Sequence, residues 1–61
     1  MKLEFLGKWE EGLIVDGPDI DGEIEFTLEM DREEHTHWLS REDALRLARA
    51  ILEAYGETEK G

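Results

Sequence analysis

Cysteine is absent from this chain of 61 residues, and long apolar runs are absent as well. Without cysteine the chain can form no disulfide, no thiolate metal site and no nucleophilic thiol. The longest uninterrupted apolar runs are about three residues, as at 13–15, which excludes a membrane span or a signal-peptide core. We therefore expect a cytosolic (cytoplasmic) protein whose apolar pattern alone holds the fold.

Basic residues are also scarce, with seven Lys and Arg against seventeen Asp and Glu and a net charge of −10. The excess is concentrated in residues 16–31, which contain seven acidic residues and no basic one. This sign of charge excludes direct binding to nucleic acid through its phosphates, because such binding requires a basic surface.

The length of 61 residues is at the lower end of what folds alone. We expect a single domain over residues 1–56 and a frayed C-terminal tail at 57–61. No internal repeat, linker or second domain is visible.

Strand patterns occupy the first two thirds of the chain. Leu3 and Phe5 alternate with charged residues, which predicts a first strand ending near residues 7–9, and residues 13–15 suit a second strand after a turn. Aspartate, glycine and proline concentrate in residues 16–22 and predict a loop.

The alternation is most regular in residues 23–31, where apolar side chains share one face and acidic side chains the other. We expect the chain to reverse at residues 31–34 into a partner strand at 35–39. If Met30 faced His35, the histidines would point inward and Trp38 outward. We prefer Met30 opposite Thr36, because that alignment buries Trp38 and leaves both histidines beside the glutamates.

A helix follows. Ser40 is placed to cap its first turn, acidic residues suit its N-terminus, and Gly56 suits its C-terminal end. Its apolar face contains Ala44, Leu45, Leu47, Ala48, Ile51, Leu52 and Tyr55. The pattern as a whole predicts an α+β fold: a small antiparallel β-meander of three to four strands, with one C-terminal α-helix packed on one face.

Two groups of residues have ligand-like spacing. Residues 19–24 resemble the centre of an EF-hand loop, but the first and twelfth ligand positions would be Gly17 and Leu28, so we favour an acidic loop without calcium. His35, His37 and Glu29 offer three ligands to a zinc-like ion, but no fourth ligand is evident, so we favour solvated side chains. We therefore expect neither a metal nor a cofactor.

Enzymatic activity is not expected. No glycine-rich phosphate loop, Ser-His-Asp set or Cys-His pair can be assembled, and so small a fold has little volume for a closed pocket.

The feature with most weight is a row of outward carboxylates and the acidic loop before it. Same-face residues of a strand repeat every ~6.8 Å, about the rise of two phosphates on one DNA strand. This geometry permits phosphate mimicry, although an acidic face can also serve solubility alone. We expect an exposed aromatic residue, Trp9 beside a turn or Tyr55, to anchor an interface. The candidate partner-binding residues are Asp16, Asp19, Asp21, Glu23, Glu25, Glu29, Asp31 and Trp9.

A small, cysteine-free, acidic chain with a glutamate-rich strand at 23–31 and a capped helix start at 38–45 (WLSREDAL) resembles accessory proteins of bacteriophages and mobile elements. Anti-CRISPR and other anti-defence proteins are among these. The resemblance is one of general character, without a motif that matches position by position. It implies an inhibitor that occupies a basic nucleic-acid-binding groove.

We therefore expect a non-enzymatic protein-binding module, a monomer or weak homodimer, whose acidic residues dock on the basic surface of a nucleic-acid-binding partner. The alternative is a structural, self-assembling domain. It would associate through sheet edges or a second helix stripe at Leu47 and Ala54, and its acidic face would serve solubility only.

Overall fold

The computed structural model describes residues 1–57 of the chain. The strands β1 (Lys2–Leu6), β2 (Gly12–Asp16), β3 (Ile24–Met30) and β4 (Glu33–Leu39) precede a single helix, α1 (Arg41–Ala54). All four strands form one antiparallel sheet in the order β1-β2-β3-β4. The expected α+β meander with a C-terminal helix is thus confirmed, with four strands.

Left-handed backbone conformations close both short hairpins. Between β1 and β2, Glu10 has φ 66°, and the Gly7 N–H donates to the Glu11 carbonyl at 2.7 Å. Between β3 and β4, Asp31 and Arg32 have φ of 49° and 66°. Positive φ at both central residues is typical of the tight two-residue turn that matches the twist of paired strands.

The longer loop between β2 and β3 is organised by Asp19. Its Oδ1 accepts hydrogen bonds from the backbone N–H of Asp21 and of Glu23, each at 2.9 Å. Gly17 has φ 128°, and a Cβ at that position would lie 2.9 Å from the Glu23 carbonyl oxygen. Glycine is therefore required at position 17, because the backbone at the two ends of the loop comes close together there.

The register of β3 and β4 differs from the expected one. Met30 pairs with Glu33, so Phe26 lies opposite His37 and Glu25 lies opposite Trp38. The preferred pairing of Met30 with Thr36 is wrong, because the turn contains only two residues. A shift of the pairing by an odd number of residues moves every side chain of β4 to the opposite face of the sheet. The histidines therefore share the apolar face and Trp38 lies among the acidic residues. The expected penalty for burying imidazole does not arise, because both histidines remain exposed.

Both ends of α1 are capped. The Ser40 hydroxyl oxygen accepts a hydrogen bond from the Asp43 N–H at 3.1 Å, as predicted. At the other end Gly56 has φ 75° and donates to the Glu53 carbonyl, while Glu57 donates to the Leu52 carbonyl at 2.8 Å. This pair of bonds is the Schellman arrangement, which explains the glycine at 56. Of the expected tail at 57–61, residues 58–61 lie outside the described part of the chain.

The helix leaves most of the sheet uncovered. Its contacts with the sheet are concentrated at β4, and a shallow groove of about 280 Å³ lies where it begins, lined by Pro18, Gly22, Ile24, Arg41, Ala44 and Leu45. Within residues 1–57 no apolar side chain is buried. The expected packing across one face is therefore incomplete. Only Ser40 separates β4 from α1, so there is no loop in which the helix could turn back over the sheet.

The helix is also short in relation to a bilayer. No helix within residues 1–57 is long and apolar enough to cross a membrane. At 14 residues, α1 falls below the ~20 that a span requires.

The Asp31–Arg32 turn gives a test of this register. We expect Arg32→Gly to raise the free energy of unfolding by about 1 kcal/mol, because glycine adopts positive φ without a steric penalty. For a chain of this size that corresponds to a rise of ~4–8 °C in Tm, measured by circular dichroism. Arg32→Ala is the matched control: it removes the same side chain but keeps Cβ, and should give no such gain. Equal effects of the two substitutions would contradict the turn geometry.

Candidate functional site

One side of the sheet concentrates the carboxylates, and we call it the acidic face. Residues directly opposite each other in an antiparallel pair share a side, so the register defines its members. It contains five acidic residues and one basic residue among twelve positions. The members are Lys2, Glu4, Leu6, Gly12, Ile14, Asp16, Glu25, Thr27, Glu29, Glu34, Thr36 and Trp38.

Like charges stand directly opposite each other on this face. Glu29 of β3 pairs with Glu34 of β4, and Asp16 of β2 pairs with Glu25 of β3. Only Lys2, opposite Asp16, supplies a positive charge within the rows. Because like charges across a strand pair are destabilising, the arrangement reduces the stability of the isolated sheet.

Threonines hold the centre of the acidic face. Thr27 is the one buried residue in the described part of the chain, with 6% of its surface exposed. Its Oγ1 donates to Glu25 Oε1 at 3.3 Å and lies 3.3 Å from Thr36 Oγ1 across the strand pair. The Glu25 carboxylate is thereby held against the sheet, whereas the side chains of Glu29 and Glu34 are exposed.

A tryptophan completes this face. Trp38 lies opposite Glu25 and is 51% exposed. An exposed indole beside carboxylates offers apolar contact area within a charged surface, the combination found at the centre of many protein interfaces.

The structure separates the eight predicted partner-binding residues. Asp16, Glu25 and Glu29 lie together on the acidic face. Glu23 comes just before β3, and Asp19 and Asp21 lie with it in the β2–β3 loop.

The other two predicted residues are at the opposite end of the sheet. Asp31 lies in the β3–β4 turn and Trp9 in the β1–β2 turn. Trp9 is exposed as expected, with Lys8 Nζ 5.1 Å from its ring centroid. A seven-residue strand spans ~23 Å, so these two residues and the loop cannot contact one small site together.

The loop carboxylates do converge. One oxygen each of Asp19, Asp21 and Glu23 lies within 4.8 Å of the others. The Asp19 oxygen Oδ1 already accepts two backbone hydrogen bonds, so this carboxylate acts as a turn-forming group in the loop.

The alternative zinc-like grouping of His35, His37 and Glu29 is not formed. Both histidines lie on the apolar side of the sheet, opposite Leu28 and Phe26, while Glu29 is on the acidic face. The nearest carboxylate partner of His35 is Glu33, whose Oε2 is 3.4 Å from Nε2.

Sequence reasoning missed Glu4, Glu34 and Trp38 as members of the acidic face. The positions of Glu34 and Trp38 depend on cross-strand register and not on the pattern of their own strand, whereas Glu4 follows from the alternation within β1. A two-residue turn at Asp31 and Arg32 would have identified Glu34 and Trp38, but neither residue is the glycine that usually marks such a turn.

The opposed carboxylates allow a measurement of their repulsion. We expect Glu29→Lys to raise the free energy of unfolding by roughly 0.5 kcal/mol, because the new ammonium faces Glu34. Glu4→Lys is the control, since it changes the net charge equally on the same face but lies opposite Ile14. Urea unfolding at low salt should show the larger gain for Glu29→Lys.

The difference between the two variants should shrink in about 1 M salt, where the Debye length is ~3 Å. A gain that is equal for both variants at every salt concentration would show that total charge alone matters, and not the Glu29–Glu34 pairing.

Comparison with known proteins identifies no relative. The chain matches no protein-family profile, no curated protein and no solved structure.

Proposed function

We propose that the protein is a non-enzymatic binding module whose acidic face docks on a basic surface of a nucleic-acid-handling protein and competes there with nucleic acid. The observation that carries the proposal is the pairing of carboxylate with carboxylate, Glu29 with Glu34 and Asp16 with Glu25. A basic partner would relieve this repulsion, so complex formation gains what the isolated sheet loses.

The spacing of the carboxylates supports a nucleic-acid-handling partner. Side chains on one face repeat every ~6.8 Å along a strand, and neighbouring strands lie ~4.8 Å apart. Two phosphate steps on one DNA strand, at ~3.4 Å of axial rise each, cover about the first of these distances. On the acidic face Glu25 and Glu29 are two such repeats apart, with Thr27 between them, so their separation of ~13.6 Å corresponds to about four phosphate steps that a groove of Lys and Arg side chains would follow.

Exposed apolar side chains would supply affinity that charge alone does not. Trp38 lies within the acidic face, and Ile20, fully exposed at 100%, lies at the tip of the adjoining loop between Asp19 and Asp21. Electrostatic attraction mainly speeds association and orients the partners, whereas buried aromatic side chains dominate the binding energy of many interfaces.

The general resemblance to anti-CRISPR and other anti-defence proteins leads us to include inhibition in the proposal. Occupation of a basic groove would block the nucleic acid that normally binds there. The proposal places the protein in the cytoplasm, where such partners act.

A structural, self-assembling role is the second candidate. The absence of any buried apolar side chain within residues 1–57 favours it, because a chain with no apolar core gains little from folding alone. In that role the acidic face would keep the assembly soluble.

The docking proposal is tested by capture from a bacterial lysate with the tagged protein, followed by elution with a salt gradient or with a short DNA duplex. We expect captured nucleic-acid-binding proteins, identified by mass spectrometry, to elute with both. The variant Glu25→Lys/Glu29→Lys should capture at least tenfold less. The control Glu53→Lys/Glu57→Lys has the same net charge, with its changes at the C-terminal end of α1 and away from the acidic face, and should retain capture.

Capture that is unaffected by Glu25→Lys/Glu29→Lys, or that does not weaken as salt rises, would refute docking through the acidic face, because screened charges should bind less well.

The role of the indole is tested separately. We expect Trp38→Ala to weaken binding to an identified partner by tenfold or more in a titration, since truncating a central interface tryptophan commonly costs at least ~1.4 kcal/mol. Trp9→Ala should have a smaller effect, because Trp9 lies in the β1–β2 turn outside the acidic face. Circular dichroism of both variants controls for loss of fold. A larger effect of Trp9→Ala would move the interface to that turn.

A further inference from the structure

The other side of the sheet, which we call the apolar face, is almost free of charge. It contains nine apolar residues, two histidines and one glutamate. Its members are Leu3, Phe5, Leu13, Val15, Ile24, Phe26, Leu28, Met30, Glu33, His35, His37 and Leu39. In a chain of which 39% is charged, such a surface is expected to be covered.

Much of the apolar face is nevertheless exposed in the single chain. Phe5 is 53% exposed and Met30 is 49% exposed, and Leu3 and Leu28 are also exposed. The polar residues Glu33, His35 and His37 all belong to β4 at one edge of the sheet. The uncovered region is therefore a continuous apolar patch that extends over β1, β2 and β3.

Helix α1 likewise exposes apolar side chains. Its apolar side includes Ile51, which is 48% exposed, and continues into Tyr55, the residue that caps the C-terminal end of the helix. Leu47 at the margin of this side is also exposed. No helix side chain is buried, although the spacing of the apolar residues is that of a helix packed against another surface. One chain thus carries an uncovered sheet face and an uncovered helix face.

We propose that two copies of this chain form a homodimer in which α1 of each copy packs on the apolar face of the other. A 14-residue helix is ~21 Å long and a seven-residue strand is ~23 Å long, so the two surfaces match in length. The arrangement is self-complementary, as a two-fold interface requires, because each chain supplies both a helix and a sheet.

The exposed apolar area suits a dimer. The exposed parts of Leu3, Phe5, Leu28, Met30, Leu47, Ile51 and Tyr55 together amount to roughly 600 Å² per chain, close to the 800 Å² per partner of a standard interface. Flanking side chains that become covered would supply the remainder.

The distribution of charge also favours a second copy in this orientation. Residues 41–54 contain three Arg against two Glu and one Asp, so α1 is neutral, whereas residues 1–40 carry three basic and twelve acidic residues. The helix is therefore the element that can approach another copy of the acidic sheet without net repulsion. In the dimer both acidic faces point away from the interface. The inference deepens the self-assembling role and does not depend on what the acidic face binds.

Sedimentation velocity and thermal unfolding of the unmodified chain test the dimer. We expect twice the chain mass of 7.1 kDa at micromolar concentration, and a Tm that rises by a few degrees for each tenfold increase in concentration. A cooperatively folded monomer at high micromolar concentration, with a Tm independent of concentration, would overturn the proposal. Neither result depends on lysate capture, so the dimer and the acidic-face proposal can fail separately.

Ile51→Glu locates the interface, and Ala50→Glu is its control because it places the same carboxylate about 100° around α1 from Ile51, beside Arg46 and Glu53. We expect Ile51→Glu to abolish the dimer and to lower the Tm, with the dimer retained in Ala50→Glu. Dimers that persist in Ile51→Glu, or that are lost equally in both variants, would exclude the apolar side of α1 from the interface.

Cross-linking distinguishes a helix on the partner's sheet from two sheets packed together. The chain has no cysteine, so Leu28→Cys and Ile51→Cys each introduce a single thiol. Mixed and oxidised, the two variants should give chiefly the mixed disulfide, which can form only between copies. Predominance of Leu28→Cys homodimers would show sheet packed on sheet and overturn the proposed arrangement.

Discussion

The pairing of Met30 with Glu33 across a two-residue turn decides which side chains share each face of the sheet. Strand side chains alternate with a period of two, so a shift of one residue at this turn would exchange the apolar and acidic positions of β4. With the observed register, β4 contributes Trp38 and Glu34 to the acidic face and both histidines to the apolar face. The distribution of charge over the whole sheet depends on this alignment.

With this register the chain has two surfaces that are energetically unfavourable when they face water alone. The acidic face carries opposed carboxylates that repel each other, and the apolar face exposes side chains that water solvates poorly. Within residues 1–57 nothing relieves the carboxylate repulsion or covers the exposed apolar side chains, because α1 follows β4 after a single residue and does not cover the sheet. The two faces need different partners: the apolar face a second apolar surface, and the acidic face a basic surface. For so small a chain the lack of buried apolar area bears more directly on folding itself.

The sequence predicts what is local. Strand alternation at residues 23–31, the Ser40 cap and Gly56 each depend on neighbouring residues, and the structure has β3, an N-cap and a left-handed glycine at these places. The predicted register of β4 was wrong for two reasons. Arg32 adopts a positive φ that its residue type does not indicate, and the preference for burying Trp38 assumed a closed core. The position of α1 relative to the sheet depends on the length of the β4–α1 link. Hydrophobic periodicity shows that a helix face needs covering but not which chain covers it.

The separation of the two surfaces also bears on how the molecule would meet a partner. If the apolar faces are covered in a dimer, the two acidic faces lie on opposite outer sides, each with one Trp38 and its five carboxylates. Such a dimer is bivalent, and a partner that presents repeated basic grooves would be held more tightly than by one face, provided that both faces can engage together. A partner with a single groove would gain nothing from the second face. Binding at one face would still be linked to dimer formation, because each sheet is held in place by the other copy's helix, so a partner that prefers the ordered sheet also stabilises the dimer.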